Sequence, residues 1–392
     1  MLAARAEVWT RLADFPVDVY GNYAGACMAA ANSTAVYAVR GELGDHGAYV
    51  YKYTPIGDTW TSIATAYHSA GQGTAMARHP GGLLYTISGG NQRWSGSINP
   101  ATDATQSANA LGPDNSWPAA TMGGGGMVID RDGRYAYLSS GENAYGAGGS
   151  PVRSALVRFD FSNTTWTTIA SLLQPTNQLL VGGGIVFAAN TVYLLHGTNG
   201  SGTCLMFAYN QDTGQYEQRP ALPEDGGEGM ALVYDGGACL IATPGGGSSS
   251  VWLYDLRSNS WQRSDDLPQP VGRGGGLAWD AQGQRLYVMC GNNTRAFFAR
   301  AWTPTPADLL PPRAPLLLAP PTGEYLDVTQ PTFSWLPAEE RGGGAIAGYT
   351  LMFDSTAYAV TSTNFTPAAP LAYGAHTWKV NARDTSGLTS AW

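Results

Sequence analysis

The feature that most constrains this chain is a repeat that occurs six times within residues 1–303. Each unit reads as a glycine-rich step, a short apolar strand, a turn, a second apolar strand with Tyr, a glycine and a further strand. The opening glycines, 45 to 58 residues apart, are Gly25, Gly73, Gly126, Gly184, Gly229 and Gly276. The Tyr-x-x-x-Gly pairs are Tyr37/Gly41, Tyr85/Gly89, Tyr137/Gly141, Tyr193/Gly197 and Tyr287/Gly291, with Leu240 and Gly245 in unit five. This period and strand pattern predict radially repeated four-stranded sheets.

Most units end on an aromatic residue that follows a polar turn. The closing residues are Trp60, Trp117, Trp166, Tyr216 and Trp261, which leaves unit six without one. Trp9, in AEVWTRLADFP, has the sequence context of a fourth strand without the three before it. We therefore expect residues 6–14 to pair with the AFFARAW strand and to place Trp9 where Trp60 and Trp166 lie in their units. Such pairing would leave no open sheet edge in the ring.

With these motifs, residues 5–303 resemble the kelch family. The match is to a divergent pattern, because the glycine pair after the second strand is reduced to one glycine in most units. The resemblance implies an all-β, six-bladed kelch-like β-propeller over residues 1–303, with the N-terminal strand closing the last blade. It also implies that the loops before the first strand and after the second strand of each blade meet on one face, around a central channel.

A proline-rich segment at residues 304–321 follows the repeats and predicts an extended spacer. Residues 322–392 then read as short alternating strands. The run LAYGAHTWKVNARDTSGLTSAW resembles the penultimate strand of fibronectin type III or immunoglobulin-like modules of bacterial surface proteins. That resemblance implies a C-terminal β-sandwich with Trp335 and Trp378 in its core.

The predicted C-terminal module stops where its last strand should begin. Two explanations stay open: the natural chain continues, or a strand arrives from another molecule, since an open edge is a template for strand addition. Both predict an antiparallel partner along residues 375–383.

Composition excludes several functional classes. Net charge is −8 and the only lysines are Lys52 and Lys379, which argues against nucleic-acid binding because phosphate contacts need clustered basic residues. No apolar run reaches membrane-spanning length, and residues 1–9 lack the apolar core of a secretion signal. We expect the protein to work outside the cell or at a cell or virion surface.

Two sets of residues bear on that location. Cys27, Cys204, Cys239 and Cys290 lie in apolar strands without C-x-x-C spacing, so they predict buried thiols or a disulfide between blades rather than a metal site. Glycosylation sequons begin at Asn32, Asn163, Asn199, Asn292 and Asn364.

Two connections in units two and three predict a binding surface. The segments SGGNQRWSGSINPATDATQSANALGP and SGENAYGAGGSPVRSA read as unusually long loops, which in compact repeats are often functional. The candidate ligand-binding residues are Gln92, Arg93, Trp94, Glu142, Asn143, Tyr145 and Arg153. Aromatic side chains there would stack on sugars or anchor a protein partner; alternatively, the loops only pack over their neighbours.

An enzyme is the main alternative, because galactose-oxidase-like proteins also combine a kelch propeller with a C-terminal immunoglobulin-like domain. Their copper site needs two histidines, two tyrosines and a cysteine crosslinked to one of the tyrosines. His46, His196 and His68 are candidates for the upper face here, yet no Tyr–Cys pair follows from a motif. A catalytic pair of carboxylates is a further possibility, with candidates Glu142, Glu224, Asp225 and Glu228. The glycine runs precede no helix and lack the lysine of a phosphate-binding loop.

The sequence thus favours a protein without catalytic residues, metal or organic cofactor. Its partners are expected to be proteins, other copies of the chain or glycans. Two functions compete: a structural subunit of a surface layer, appendage, filament or virion that assembles through the C-terminal module, or an adhesin that binds glycans or protein on the long-loop face.

Overall fold

The computed structural model describes residues 8–16, 26–40, 49–64, 73–89, 94–106, 110–112, 125–139, 155–171, 183–197, 203–304, 310–340 and 345–392. The chain divides into two compact units, Met1–Thr305 and Pro306–Trp392. No helix in the described ranges is long and apolar enough to cross a membrane.

The first unit consists of six four-stranded antiparallel sheets, one for each sequence repeat. The chain starts with β1 (Thr10–Arg11). Blade 1 is β2 (Ala26–Asn32), β3 (Ala35–Arg40), β4 (Tyr49–Thr54) and β5 (Thr59–Ala64). Blade 2 is β6 (Ala75–Arg78), β7 (Leu84–Ile87), β8 (Ser95–Asn99) and β9 (Ala104–Gln106). Blade 3 is β10 (Gly126–Ile129), β11 (Tyr135–Ser139), β12 (Ala155–Asp160) and β13 (Thr165–Ser171).

The remaining blades follow the same order. Blade 4 is β14 (Gly183–Ala188), β15 (Thr191–His196), β16 (Met206–Asn210) and β17 (Tyr216–Arg219). Blade 5 is β18 (Ala231–Tyr234), β19 (Cys239–Thr243), β20 (Trp252–Asp255) and β21 (Ser260–Arg263). Blade 6 is β22 (Gly276–Asp280), β23 (Arg285–Met289) and β24 (Phe297–Ala301), with β1 as its fourth strand. The first strands of neighbouring blades lie side by side, so the all-β, six-bladed propeller is confirmed.

Closure of the ring by the N-terminal strand is confirmed as well. Thr10 pairs with Ala299, and the Leu12 amide donates to the Phe297 carbonyl at 2.9 Å. This register places Trp9 opposite Arg300, the position that Trp60 occupies opposite Tyr53 in blade 1. Trp9 is buried, so the predicted closing aromatic of blade 6 does fill its place.

The polar turn before each closing aromatic has a backbone cause. The residue two positions before the closing aromatic has positive φ in several blades, at Asp58 (47°), Thr164 (56°), Gly214 (70°) and Asn259 (53°). Asp, Asn and Gly tolerate this left-handed region best. In blade 1 the turn is also held by the Tyr53 hydroxyl, which donates to Asp58 at 2.8 Å.

Blade 2 departs from the sequence prediction. The segment that reads as one long loop contains the third and fourth strands, β8 and β9, and Thr105 rather than Trp117 lies opposite Ile98. Trp117 lies outside the described residues. The sequence pattern did not indicate these strands because β8, SGSIN, carries small polar residues. Ser95 is nevertheless fully buried, and its hydroxyl accepts a hydrogen bond from the Leu111 amide at 2.8 Å.

In blade 5 the residue assigned from sequence to the tyrosine position of the second strand is wrong by one. Ile241, and not Leu240, lies opposite Val233, just as Tyr287 lies opposite Ala278 in blade 6. Ile241 lies four residues before Gly245, just as Tyr287 lies four before Gly291, so counting back from this glycine gives the register correctly while an apolar-run reading does not.

The cysteines form no disulfide in the structure. Cys204 and Cys290 are buried, whereas Cys27 and Cys239 are half-buried. Burial raises the pKa of the Cys290 thiol to about 11 and that of Cys204 to about 11. Protonated thiols in such surroundings act as small apolar side chains.

The second unit contains two three-stranded antiparallel sheets. One has the order β25 (Leu317–Ala319), β26 (Phe333–Trp335), β29 (Asn364–Phe365), and the other β28 (Thr356–Val360), β27 (Ile346–Phe353), β30 (Trp378–Asp384). Trp335 is buried between them and Trp378 packs against the same core. Strand β25 lies within the segment that the sequence analysis treats as a spacer.

The chain after β30 turns back on that strand. The Ser390 amide donates to the Ala382 carbonyl at 2.8 Å, and Arg383 forms an antiparallel bridge with Thr389. The Lys379 ammonium lies 4.5 Å from the centroid of the Trp392 ring. Residues within 388–392 thus lie antiparallel to the end of β30, the strand for which the sequence predicts a further partner.

Candidate functional site

The loops before the first strand and after the second strand of a blade meet at one end of the propeller. In blade 5 the Gly246 amide donates to the Glu228 carbonyl at 2.8 Å. In blade 6 the Asn292 amide donates to the Arg273 carbonyl at 2.9 Å. We call this end the upper face; blades 5 and 6 supply most of its described residues.

A cavity of about 190 Å³ lies on the propeller axis at the first strands of all six blades. Equivalent positions of those strands carry only small residues, namely Cys27, Ala75, Gly126, Gly184, Ala231 and Gly276. A Cβ on Gly184 would lie 2.5 Å from the Leu232 Cβ, and one on Gly126 would lie 2.7 Å from the Ile185 Cγ2. The glycines at these positions therefore permit close packing around the axis.

An ion pair at the cavity wall joins blades 5 and 6. The Arg273 guanidinium donates through Nε and Nη2 to the two carboxylate oxygens of Glu228, and each side chain is 28% exposed. The two residues hold equivalent positions, since each precedes a glycine with positive φ, Gly229 at 84° and Gly274 at 77°. This two-point contact fixes both side chains and neutralises their charges.

Breaking the Glu228–Arg273 pair tests its contribution. We expect a double-mutant cycle of Glu228→Gln and Arg273→Gln to give a coupling energy of about 1 kcal/mol, because both groups are partly solvated. Urea unfolding of the four proteins measures it. The same cycle on the exposed pair Arg263–Asp266, whose side chains are 54% and 48% exposed, is the matched control and should give a smaller value. Equal couplings would contradict a special role for the pair at the cavity.

A second carboxylate on the upper face is also engaged. Glu224 accepts hydrogen bonds from the Ser248 hydroxyl at 2.6 Å and the Trp252 indole at 2.7 Å. Burial acts to raise the pKa of Glu224, but these bonds outweigh it and lower the pKa. Asp225 forms a backbone bridge with Thr203. Glu142, the fourth candidate for a catalytic carboxylate pair, lies outside the described residues.

Only one predicted ligand-binding residue falls within the described residues. Trp94 immediately precedes β8 on the upper face, and its backbone pairs with that of Ser88 at 2.9 Å. Its side chain is 44% exposed. The residues outside the described ranges are Gln92, Arg93, Glu142, Asn143, Tyr145 and Arg153.

Two of the described sequons, at Asn163 and Asn292, begin in turns, whereas Asn32 ends β2 and Asn364 begins β29. Asn163 accepts hydrogen bonds from the backbone amide and the hydroxyl of Thr165. Asn32 does the same with Thr34, at 2.9 and 2.7 Å. Asn163, Asn292 and Asn364 are exposed, Asn32 is half-buried, and Asn199 is outside the described residues.

The histidines predicted as candidate copper ligands do not form a cluster among the described residues. His196 ends β15 at the upper face, against the Phe207 ring, and burial lowers its pKa to about 4. His79 lies in the β6–β7 turn and His376 in the second unit, while His46 and His68 fall outside the described ranges. No group of three or more His, Cys, Asp or Glu side chains that could hold a metal ion occurs in the described part of the chain.

The sequence analysis missed Arg273 as a site residue. It read the following glycine run as the only feature there, whereas aligning Gly274 with Gly229 puts Arg273 at the position that Glu228 holds in the neighbouring blade. Opposite charges at one repeat position in neighbouring blades are the signal that would have found the pair.

No family model matches the chain, and no curated protein matches it. Among solved structures, that of YjhT is 16% identical over 74% of this chain and 95% of its own, with a TM-score of 0.49. A novel fungal alcohol oxidase of the AA5 family, solved in complex with copper, is 11% identical over 98% of both chains, with a TM-score of 0.47. The assignment of a six-bladed kelch-like propeller here depends on the sheets and registers described above.

Proposed function

We propose that the protein is a non-catalytic extracellular structural subunit that assembles through its second unit. In this proposal residues 306–392 form an immunoglobulin-like module of the fibronectin type III kind. The sheet orders β25-β26-β29 and β28-β27-β30 support that identity, since they match strands A-B-E and C′-C-F of such sandwiches. The kelch-like propeller would be the body that this module connects to its neighbours.

The distribution of exposed apolar side chains carries the proposal. Among the described residues, Val8, Ile56 and Trp94 are the exposed large hydrophobics of the first unit. The much smaller second unit exposes nine, namely Leu316, Leu317, Leu318, Tyr325, Leu326, Val328, Leu336, Tyr373 and Trp392. Concentrated apolar exposure of this kind marks a surface for association.

Part of this surface is one face of a sheet. Trp335 points into the core opposite Leu317, so the neighbouring side chains in the two strands point away from the core. Leu316 and Leu336 lie on that outer face and are 64% and 45% exposed, while Leu318, at the irregularity in register between Leu317 and Ala319, is 49% exposed. The Leu336 amide donates to the Leu316 carbonyl at 2.9 Å, which holds the two strands together at this point. A second apolar face could cover these leucines without disturbing the core.

The described carboxylates of the upper face support a non-catalytic role. Glu228 is held by Arg273, and Glu224 by Ser248 and Trp252. A general acid or base needs a free proton-transfer position and a pKa near working pH. The bonds to Glu224 lower its pKa instead.

Sedimentation equilibrium of the full chain tests assembly. We expect the mass to rise above the monomer value of 41.2 kDa as concentration increases, and the double variant Leu316→Ser/Leu336→Ser to shift association to at least tenfold higher concentration. The control is Ile56→Ser, which removes an 89% exposed side chain from the propeller. A parent chain that stays monomeric, or a control that weakens association equally, would contradict the proposal.

Exposed Trp94 supports a second candidate function, an adhesin that binds glycans or protein through the upper face. Its ring lies on the face where the loops of the blades gather and is 44% exposed, as a stacking platform for a sugar requires. Glycan-array binding that is lost in Trp94→Ala but kept in Leu316→Ser/Leu336→Ser would favour this candidate over assembly.

A further inference from the structure

His376, in the second unit, contacts two oxygen atoms that can only accept hydrogen bonds. Its Nδ1 lies 2.8 Å from Asp354 Oδ2, and its Nε2 lies 2.9 Å from the Ala372 carbonyl oxygen. Asp354 belongs to the β27–β28 turn, whereas Ala372 belongs to the loop that leads into β30. The imidazole ring thus joins two separate segments.

Only the protonated ring satisfies both contacts. Neutral imidazole has one N–H donor and one acceptor nitrogen, whereas imidazolium has two donors. If Nδ1 keeps its proton for Asp354, a neutral Nε2 would point its lone pair at the Ala372 oxygen from 2.9 Å. Loss of the proton therefore turns an attractive contact into a repulsive one.

His79 in the propeller shows the opposite arrangement. Its Nδ1 accepts from the Gly81 amide at 2.9 Å, and its Nε2 faces the Gly133 carbonyl at 2.9 Å. Neutral imidazole with hydrogen on Nε2 satisfies both of these contacts. The contrast shows that the requirement for a second donor is specific to the surroundings of His376.

The groups packed around His376 favour the charged form. The Ala372 carbonyl and then the Asp354 carboxylate raise the pKa of His376, while the Thr377 amide and the His376 ring lower the pKa of Asp354. From β27, the Phe353 ring lies 5.0 Å away, centroid to centroid. Among the described residues, Asp354 is the charged group that acts on this ring.

The geometry points to a pH-sensitive latch in which protonated His376 holds the loop of residues 366–377 against the β27–β28 turn. Asp354 also accepts from the Thr377 amide at 2.8 Å, and its own amide donates to the Thr377 carbonyl at 2.8 Å. These bonds survive deprotonation of His376. The contact that is lost is the one with Ala372, next to Tyr373, which is 91% exposed. Raising the pH would therefore release residues 372–375, while the Leu371 amide stays bonded to the Thr329 carbonyl at 2.7 Å and the base of the loop stays attached.

The direction of the pH effect follows from the two pKa changes. Because the pKa of His376 is raised from 6.5 in the folded protein, its contribution is complete below pH 6.5 and is lost as the pH rises through the folded value. Because the pKa of Asp354 is lowered from 3.8, its contribution is present above pH 3.8 and is lost as the pH falls through its folded value. The latch is therefore closed between the folded-state pKa of Asp354 and the folded-state pKa of His376.

NMR titration of the full chain tests the latch. We expect the ring of His376 to titrate above pH 6.5 and Asp354→Asn to move its midpoint downward. Amide exchange at residues 371–374, corrected for the intrinsic effect of pH, should accelerate several-fold across that titration in the parent. In His376→Gln it should lose this step.

His79→Gln is the matched control, and should leave the exchange step at residues 371–374 unchanged. A His376 midpoint at or below 6.5 in the parent would overturn the latch. So would loop exchange in His376→Gln that follows the parent at every pH. The parent titration needs no variant, so a folding defect in a substituted chain would not leave the question open.

Discussion

Deleting residues 1–14 is expected to lower the melting temperature of the propeller by about 10 °C or more. The deletion removes β1, exposes the edge of β24 and strips Trp9 from its core cluster. Burial of a Trp side chain alone is worth about 3–5 kcal/mol. The open edge adds unpaired backbone groups that promote association between chains.

Two variants separate these contributions in differential scanning calorimetry. Trp9→Ala keeps the strand and loses the side chain, so it should be less destabilised than the truncated chain. Val8→Ala changes a neighbouring side chain that is 79% exposed, and it should melt with the parent. If the truncated chain melts with the parent, β1 does not stabilise the ring.

The substitution Gly229→Ala is expected to cost about 3 kcal/mol or more, for two reasons. The residue has φ of 84°, and its new Cβ would lie 2.0 Å from the Gly272 carbonyl oxygen. Because that oxygen belongs to the backbone, the clash is relieved only if blades 5 and 6 move apart beside the Glu228–Arg273 pair.

Gly247→Ala is the matched control for the backbone angle. Its φ is 89°, and a Cβ there meets nothing within 4 Å, so this variant carries the left-handed penalty of about 1–2 kcal/mol without the clash. Urea unfolding compares the two. Equal losses would show that close approach at Gly229 contributes nothing.

Some parts of the fold could be predicted from sequence because backbone geometry restricts the residue types. The turn before a fourth strand needs a residue with positive φ, so Asp58 and Asn259 indicate that a fourth strand follows. Trp9 could be placed in blade 6 because one repeat lacked its closing aromatic residue. In each case a local rule and the sixfold repeat agreed.

Blade 2 was misread because burial there does not depend on apolar residues. Ser95 and Ser97 occupy buried positions of β8, and the Ser95 hydroxyl finds a partner inside the protein, the Leu111 amide. A period-two search for hydrophobic residues does not detect such a strand. The loop predicted from the sequence is therefore too long, and Trp94 immediately precedes β8.

The candidate site was less predictable than the fold. Arg273 and Glu228 are 45 residues apart, and their contact depends on the alignment of two blades rather than on a local motif. The latch at His376 likewise needs two backbone segments that meet only in the folded second unit. The sequence places these residue types, but it does not show which oxygen atoms they face.

The pairing of β1 with β24 also sets an order of events during synthesis. Thr10 is made about 290 residues before its partner Ala299, so ring closure carries the entropy cost of a very long loop. Until then Phe15 and Tyr53 lack Phe297, which packs 5.0 Å from Tyr53 in the finished ring. A growing chain therefore carries an unfinished aromatic cluster until β24 is made, and this interval is when a chaperone would protect it best.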